Sequence, residues 1–249
     1  PLGWWVDDPR ILAGRDLRGA GTWMGAARSG RFGVVTNFRE LERPAAGAPS
    51  RGDLVTRYLA ATASPQEYLD DLRQRASRYA GFSLLLGGPR SLHYYSNRNG
   101  LEAKPLGRGI YGLSNHWLDS PWPKLLRTRT RLEELIAADD VAPAALFALL
   151  ADRTPADLDE TPDTGLPPEW ERALSAPFVT HERYGTRCST LLLVERAGHT
   201  TLLERRFDGG LSRQFDHDRR LDRRWRLAFG DGVLDGCAYV LDGVAWSLR

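Results

Sequence analysis

The sequence has 249 residues, with 34 Lys and Arg against 32 Asp and Glu for a formal charge of +2, and 42% hydrophobic, 27% charged and 10% aromatic residues. That balance excludes a disordered polyelectrolyte and a mini-domain too small for a core, and the length allows one large domain or two small ones. Only Lys104 and Lys124 are lysines; the other 32 basic residues are arginines interspersed with acids, so the net charge defines no polyanion-binding surface.

Pro1 opens the sequence in place of a methionine and leads at once to Trp4 and Trp5, which reads as a chain trimmed at its start. From Gly14 to Asn37, six glycines punctuate short apolar runs, and this spacing predicts a β-meander with strands over Thr22 to Ala27 and Phe32 to Asn37 joined at Ser29-Gly30. Glu42 to Gly52 reads as a surface loop. Helices are predicted over Ser50 to Leu59 and Ser64 to Ala76, the second opened by Ser64-Pro65-Gln66-Glu67, an N-cap with proline at the first helical position. Gly81 to Leu86 and Leu92 to Ser96 form a predicted hairpin, and Ile110 to Ser114 a further short strand. Helical spacing follows over Leu125 to Ala138 and Val141 to Ala151, then a proline-rich loop over Asp152 to Pro168. Thr190 to Val194 and Thr200 to Arg206 read as a last hairpin through Ala197-Gly198. Strands at both ends with helices between them predict an α+β fold rather than a doubly wound parallel sheet. GAGTWMG lacks the lysine of a phosphate loop and leads into a strand, which argues against a nucleotide site.

Cys188 and Cys237 allow at most one disulfide and sit in no metal-ligand spacing. No apolar run approaches the roughly 20 residues that cross a bilayer, and no signal peptide precedes the first motif. The expectation is a cytoplasmic protein without a transmembrane segment. His93, His116, His181, His199 and His217 make no HExxH or HxH pattern, so no metal site is expected; any one of them could serve as an axial haem ligand, a role a lone histidine rarely has. The arginine run from Arg213 to Arg226 is diluted by Asp216, Asp218 and Asp222 and reads as a solvated face, without nucleic-acid binding. Chemistry is densest in GIYGLSNHWLDSPWPK, Gly109 to Lys124. Asn115 follows a short strand there, where it serves as a turn cap or as an oxyanion donor, and Asn37 repeats that placement after FGVV. Arg187, at the entry to a strand, is either a surface ion-pair partner or a guanidinium for a carboxylate. Cys188 reads as a buried inert thiol.

WWVDDPRILAGRDLRGAGTWMG, GRFGVVTNFRE, SRGDLV, YAGFSLLLG, YYSNR, GIYGLSNHWLDSPWPK and RYGTRCSTLLL, in this order, resemble the NRDE family, also called the Transport and Golgi organization protein 2 family, from Trp4 to Phe207. The resemblance implies an N-terminal-nucleophile hydrolase-like fold, a four-layer αββα sandwich of antiparallel sheets. It implies one domain over residues 1–208, with 209–249 an unassigned extension packed on it. Gly19-Ala20-Gly21 departs from the family's double glycine, and the family's opening of Met-Cys, a strand and the Asn-Arg-Asp-Glu motif has no counterpart in this sequence.

Two functions follow from the resemblance. One is intracellular haem binding or trafficking, with haem as the transported small-molecule ligand; Trp4, Trp5, Trp23, Trp117 and Trp122 then either wall an aromatic cleft or, the commoner fate, pack in the core and loops. The other is amide hydrolysis by an N-terminal cysteine, in which Asn37, Asn115 and Arg187 carry over as oxyanion and orienting residues. The nucleophile has no match here, so this chain is expected to be silent as an amidase: Pro1 offers neither thiol nor primary amine, and Cys188 and Cys237 have no evident base. Oligomeric state is not legible.

Overall fold

A computed structural model describes residues 2–42, 44–88, 91–98, 103–194, 199–207, 220–228 and 239–241, with His199 and the last two segments described by backbone alone. Seven strands run in sequence order across one sheet, each antiparallel to the next: β1 (Gly3–Trp4), β2 (Ile11–Ala13), β3 (Met24–Ala27), β4 (Phe32–Asn37), β5 (Phe82–Gly88), β6 (Ser91–Ser96) and β7 (Lys104–Pro105). Helices α1 (Gly52–Ala60) and α2 (Pro65–Arg73) connect β4 to β5. Beyond β7 come β8 (Tyr111–Leu113), α3 (Pro123–Ala137), α4 (Pro143–Leu150), α5 (Pro168–Ala173), a small ribbon of β9 (Thr180–His181) and β10 (Tyr184–Gly185), and then β11 (Cys188–Val194) and β12 (His199–Phe207). β13 (Arg220–Ala228) pairs with β12, and β14 (Tyr239–Leu241) pairs in parallel with β8.

The protein is therefore α+β around a seven-stranded antiparallel sheet. Strand alternation sends the two faces of that sheet into different cores. Ile11, Ala13, Val35, Leu84 and Leu86 pack with Leu54, Tyr58, Leu69 and Leu72 of α1 and α2. Leu12, Met24, Val34, Leu85 and Tyr94 pack with Leu113 of β8, Leu192 of β11 and Leu202 of β12. A third cluster joins Leu132 of α3 and Leu146, Phe147 and Leu150 of α4 to Leu191, Leu193 and Leu203. Because both faces of β4 and β5 are covered, their sequences, FGVVTN and FSLLLGG, are apolar almost throughout rather than alternating. Gly87 fits because a Cβ there would overlap the Phe32 ring of the paired strand.

Several boundaries shift for identifiable reasons. Thr22 lies outside β3 because its Oγ1 donates to the Met24 carbonyl and accepts from the Met24 amide, closing a local turn. Ser50 stands before α1, where its Oγ accepts from Gly52 N. α2 carries a full capping box between Ser64 and Glu67 and ends at Arg73, with a 3₁₀ turn over Ala76–Arg78. β1 and β2 are too short to show periodicity, and α5 begins at Pro168, the last residue of the predicted loop, in a stretch for which the sequence pattern predicted no element. The predicted turn at Ala197-Gly198, Cys237 and the side chains of the Arg213 to Arg226 run lie outside the described residues. Among the described residues no helix is long and apolar enough to cross a membrane.

Candidate functional site

β4 ends at Asn37, paired with Phe82, and the chain continues through Phe38, Arg39 and Glu40 along the edge where β5 begins. The segment after β8 docks on this edge. Arg39 N donates to the Asn115 carbonyl at 2.7 Å, and Asn115 Nδ2 donates to the Asn37 carbonyl at 3.1 Å. Ser83 Oγ donates to the His116 carbonyl at 2.7 Å, so its single proton is engaged and the 3.1 Å contact with Tyr94 is a donation from the tyrosine hydroxyl. Tyr94 in turn accepts from Leu118 N at 3.1 Å. Buried hydroxyls on β5 and β6 thus satisfy the backbone of residues 116–118, which has no ladder of its own.

His116 lies at the centre of this assembly. Its ring centroid is 4.6 Å from Phe38, 4.3 Å from Trp117 and 5.3 Å from Trp122. Its Nδ1 is 2.6 Å from Ser120 Oγ, and that hydroxyl donates to the Trp117 carbonyl at 2.9 Å. The Ser120 oxygen is then the acceptor from Nδ1–H, which assigns the neutral ring a protonated Nδ1 and leaves the lone pair on Nε2. Burial, and then the Arg39 charge, hold the His116 pKa below 6.5, favouring this neutral form. Trp117 stays 41% exposed, so the cluster reaches the surface.

A charged frame surrounds the cluster. Arg39 Nη1 meets Glu171 Oε2 at 2.8 Å with both side chains buried, and its guanidinium lies 4.8 Å from the Trp122 ring centroid. Glu171 also accepts from the amide and the hydroxyl of Thr164, tying α5 and the loop before it to the end of β4. Lys124 Nζ donates to the Leu174 carbonyl at 3.1 Å. On the other side Glu40 accepts from Gly81 N and from Arg98 Nε and Nη2. Beside it Arg51 donates to the Gly81 carbonyl, and burial pushes its pKa down to about 10.

Of the sequence-predicted residues, Asn37 and Asn115 are brought together, while Arg187 is exposed and makes no hydrogen bond with either asparagine among the described residues. The Arg187 carbonyl accepts from Phe207 N at 2.9 Å at the start of the β11–β12 ladder. The Asn37 side-chain amide makes no hydrogen bond among the described residues. Cys188 is desolvated and faces Glu204, which pushes its thiol up to about 11, far from a reactive thiolate. Sequence reasoning named His116 only as one of five histidines and missed Arg39 and Glu171. The adjacency of His116 to Trp117 and of Arg39 to Asn37 was visible, but the pairing of Arg39 with Glu171 spans 132 positions and leaves no local trace. Among the described residues no group of three His, Cys, Asp or Glu side chains could hold a metal ion.

The arrangement is an α+β scaffold that presents two asparagines, a neutral histidine and aromatic rings where one sheet edge meets a docked loop. A family model described as Transport and Golgi organisation 2 matches residues 1–209, and the chain belongs to that family. The chain is 29% identical over 217 residues to the Transport and Golgi organization 2 homolog of Mus musculus, covering 81% of this chain and 78% of that protein. The Transport and Golgi organization protein 2 homologs of Bos taurus and Homo sapiens are 31% and 30% identical over 223 and 219 residues, again covering 81% of this chain and 78% of each relative.

Proposed function

We propose that this protein binds haem as a transported ligand, at the cluster of Phe38, His116, Trp117 and Trp122. The observation that carries the reading is the state of His116. A neutral imidazole with its lone pair on Nε2 is a ligand that haem iron takes, and flanking aromatic faces suit a flat macrocycle. Titration of the protein with ferric haem should give a saturable shift of the Soret band, and His116→Ala should weaken it at least tenfold while far-ultraviolet circular dichroism is retained. A titration unchanged by His116→Ala overturns the reading.

The junction of Asn37 and Asn115 favours a second reading, amide hydrolysis by an N-terminal cysteine nucleophile. In it the two asparagines serve as oxyanion donors and Arg187 as an orienting group. Part of the Asn115 amide is already engaged on the Asn37 carbonyl, which leaves the Asn37 amide as the better donor. Turnover of N-acyl substrates by a form carrying such a cysteine, lost in Asn37→Ala, is the test. This second reading rests on the αββα architecture that the resemblance implies. The three cores support it by ordering α1 and α2, the seven-stranded sheet, the β11–β12 sheet, and α3 and α4 in succession. The pairing of β13 with β12 supports counting residues 209–249 with the same domain.

A further inference from the structure

Strand β8 opens the loop that carries Asn115 and His116, and its two edges have different partners. Gly112 faces the loop itself: its carbonyl accepts from Asp119 N at 2.7 Å, and its amide donates to Asp119 Oδ1 at 2.8 Å. Successive residues of a strand direct their backbone groups to opposite edges, so Tyr111 and Leu113 direct theirs away from Asp119. There β14 lies in parallel, with Tyr239 opposite Tyr111, Val240 opposite Gly112 and Leu241 opposite Leu113. In that register the Val240 N–H is aimed at the Tyr111 carbonyl and the Val240 carbonyl at Leu113 N.

Among the described residues β14 is the one ladder partner that β8 has. The loop that β8 opens closes again at Asp119, whose φ of 56° lies in the left-handed region that favours glycine. Its bonds to Gly112, and Arg129 Nη1 of α3 at 3.2 Å, hold that turn in place. Leu113 anchors β8 in the core between the sheets through its side chain, which keeps the strand docked but leaves its backbone direction to the ladder. β14 also lies beyond residues 1–209, the part of the chain that the family model matches, so this support comes from outside the family-matched portion.

We propose that β14 is a positioning segment of the candidate site: its backbone fixes β8, and the Gly112–Asp119 closure passes that constraint to the loop bearing Asn115 and His116. The effect on binding rests on the ligand reading of His116 given above; the effect on the loop does not.

The test is Val240→Pro in the full chain, which removes the N–H aimed at Tyr111, with Val240→Ala, which keeps it, as control. Without ligand, the amides of Gly112, Leu113, Leu118 and Asp119 should exchange at least tenfold faster in Val240→Pro and close to the parent rate in Val240→Ala. Amides of the central ladder, such as Val34 and Leu85, should stay as they are, with circular dichroism retained. Ferric haem should then bind the proline variant at least fivefold more weakly than either of the others. The parent alone gives a readout that needs no variant: the amides of Val240, Leu113, Gly112 and Asp119 should share one protection level and one urea dependence, because they open as a unit. Independent exchange of these four, unchanged exchange in a folded Val240→Pro, or equal loosening by Val240→Ala overturns the proposal. Faster exchange spread over the central ladder overturns it too, making β14 a support of the fold at large, as does a loosened loop with unchanged haem affinity. A parent that binds no haem fails the ligand reading instead, and the exchange comparison still decides whether β14 holds the loop.

Discussion

Arg39 and Glu171 are each other's charge partner in a setting with little water, and removing one leaves the other buried and uncompensated. Arg39→Ala should cost about 3 kcal/mol of stability by urea denaturation, whereas replacing the pair together by Met and Leu should cost far less. His93 behaves differently. It is 7% exposed beneath α2, its Nδ1 is buried without a hydrogen-bond partner, and burial lowers its pKa against the weaker opposing pull of Asp70. The folded state thus binds fewer protons than the unfolded chain, so stability should be full above 6.5 and fall as pH drops from there through the lowered folded value. Urea midpoints at pH 7.5 and 5.5 measure this slope, which His93→Leu should flatten. What was legible at this scale was residue type at strand ends: Asn37 and Asn115 were singled out because polar side chains after apolar runs are exposed to whatever meets the edge. Asn97 shows the limit. It sat in plain view within YYSNR, yet its Oδ1 accepts from Phe82 N and its Nδ2 reaches the carbonyls of Ala76, Tyr79 and Ala80, a role created by the turn before β5.

At the scale of elements, local chemistry announces itself where it is self-contained. The Ser64 and Glu67 box is complete within four residues, and Ser64→Ala should lower stability by about 1 kcal/mol in thermal or urea melts, because the Glu67 amide loses its cap. The β3–β4 and β5–β6 hairpins were legible for the same reason. β1, β2 and α5 were not. β1 and β2 have two and three residues and exist through pairing with each other and with β3, and α5 depends on Glu171 being held by Arg39 and Thr164.

For the molecule as a whole, the decisive contact is between sheets. Leu202 of β12 is fully buried in the cluster built largely from the inner face of the seven-stranded sheet, so Leu202→Ala should cost about 3 kcal/mol in chemical denaturation. The α+β class was legible from the succession of strands, helices and strands, but the partition into three cores was not, because sequence patterning gives the face of a strand and not what will lie opposite it. Desolvation beside the β11–β12 ladder also protects Cys188, although that residue stays partly exposed. With its thiol pushed up to about 11, labelling by a maleimide at pH 7 should be orders of magnitude slower than for an ordinary surface cysteine, and should accelerate on addition of urea.

The docking of residues 115–118 on three strands also has a kinetic meaning. Asn115 prolongs the hydrogen bonding of β4 with one carbonyl and one side-chain amide, while Ser83 and Tyr94 grip the next turn from β5 and β6. A loop fastened in this way gives the proposed ligand site at His116 a wall formed before binding. Stopped-flow mixing should then show one phase whose observed rate rises linearly with ligand concentration, without the plateau that a gating step would impose.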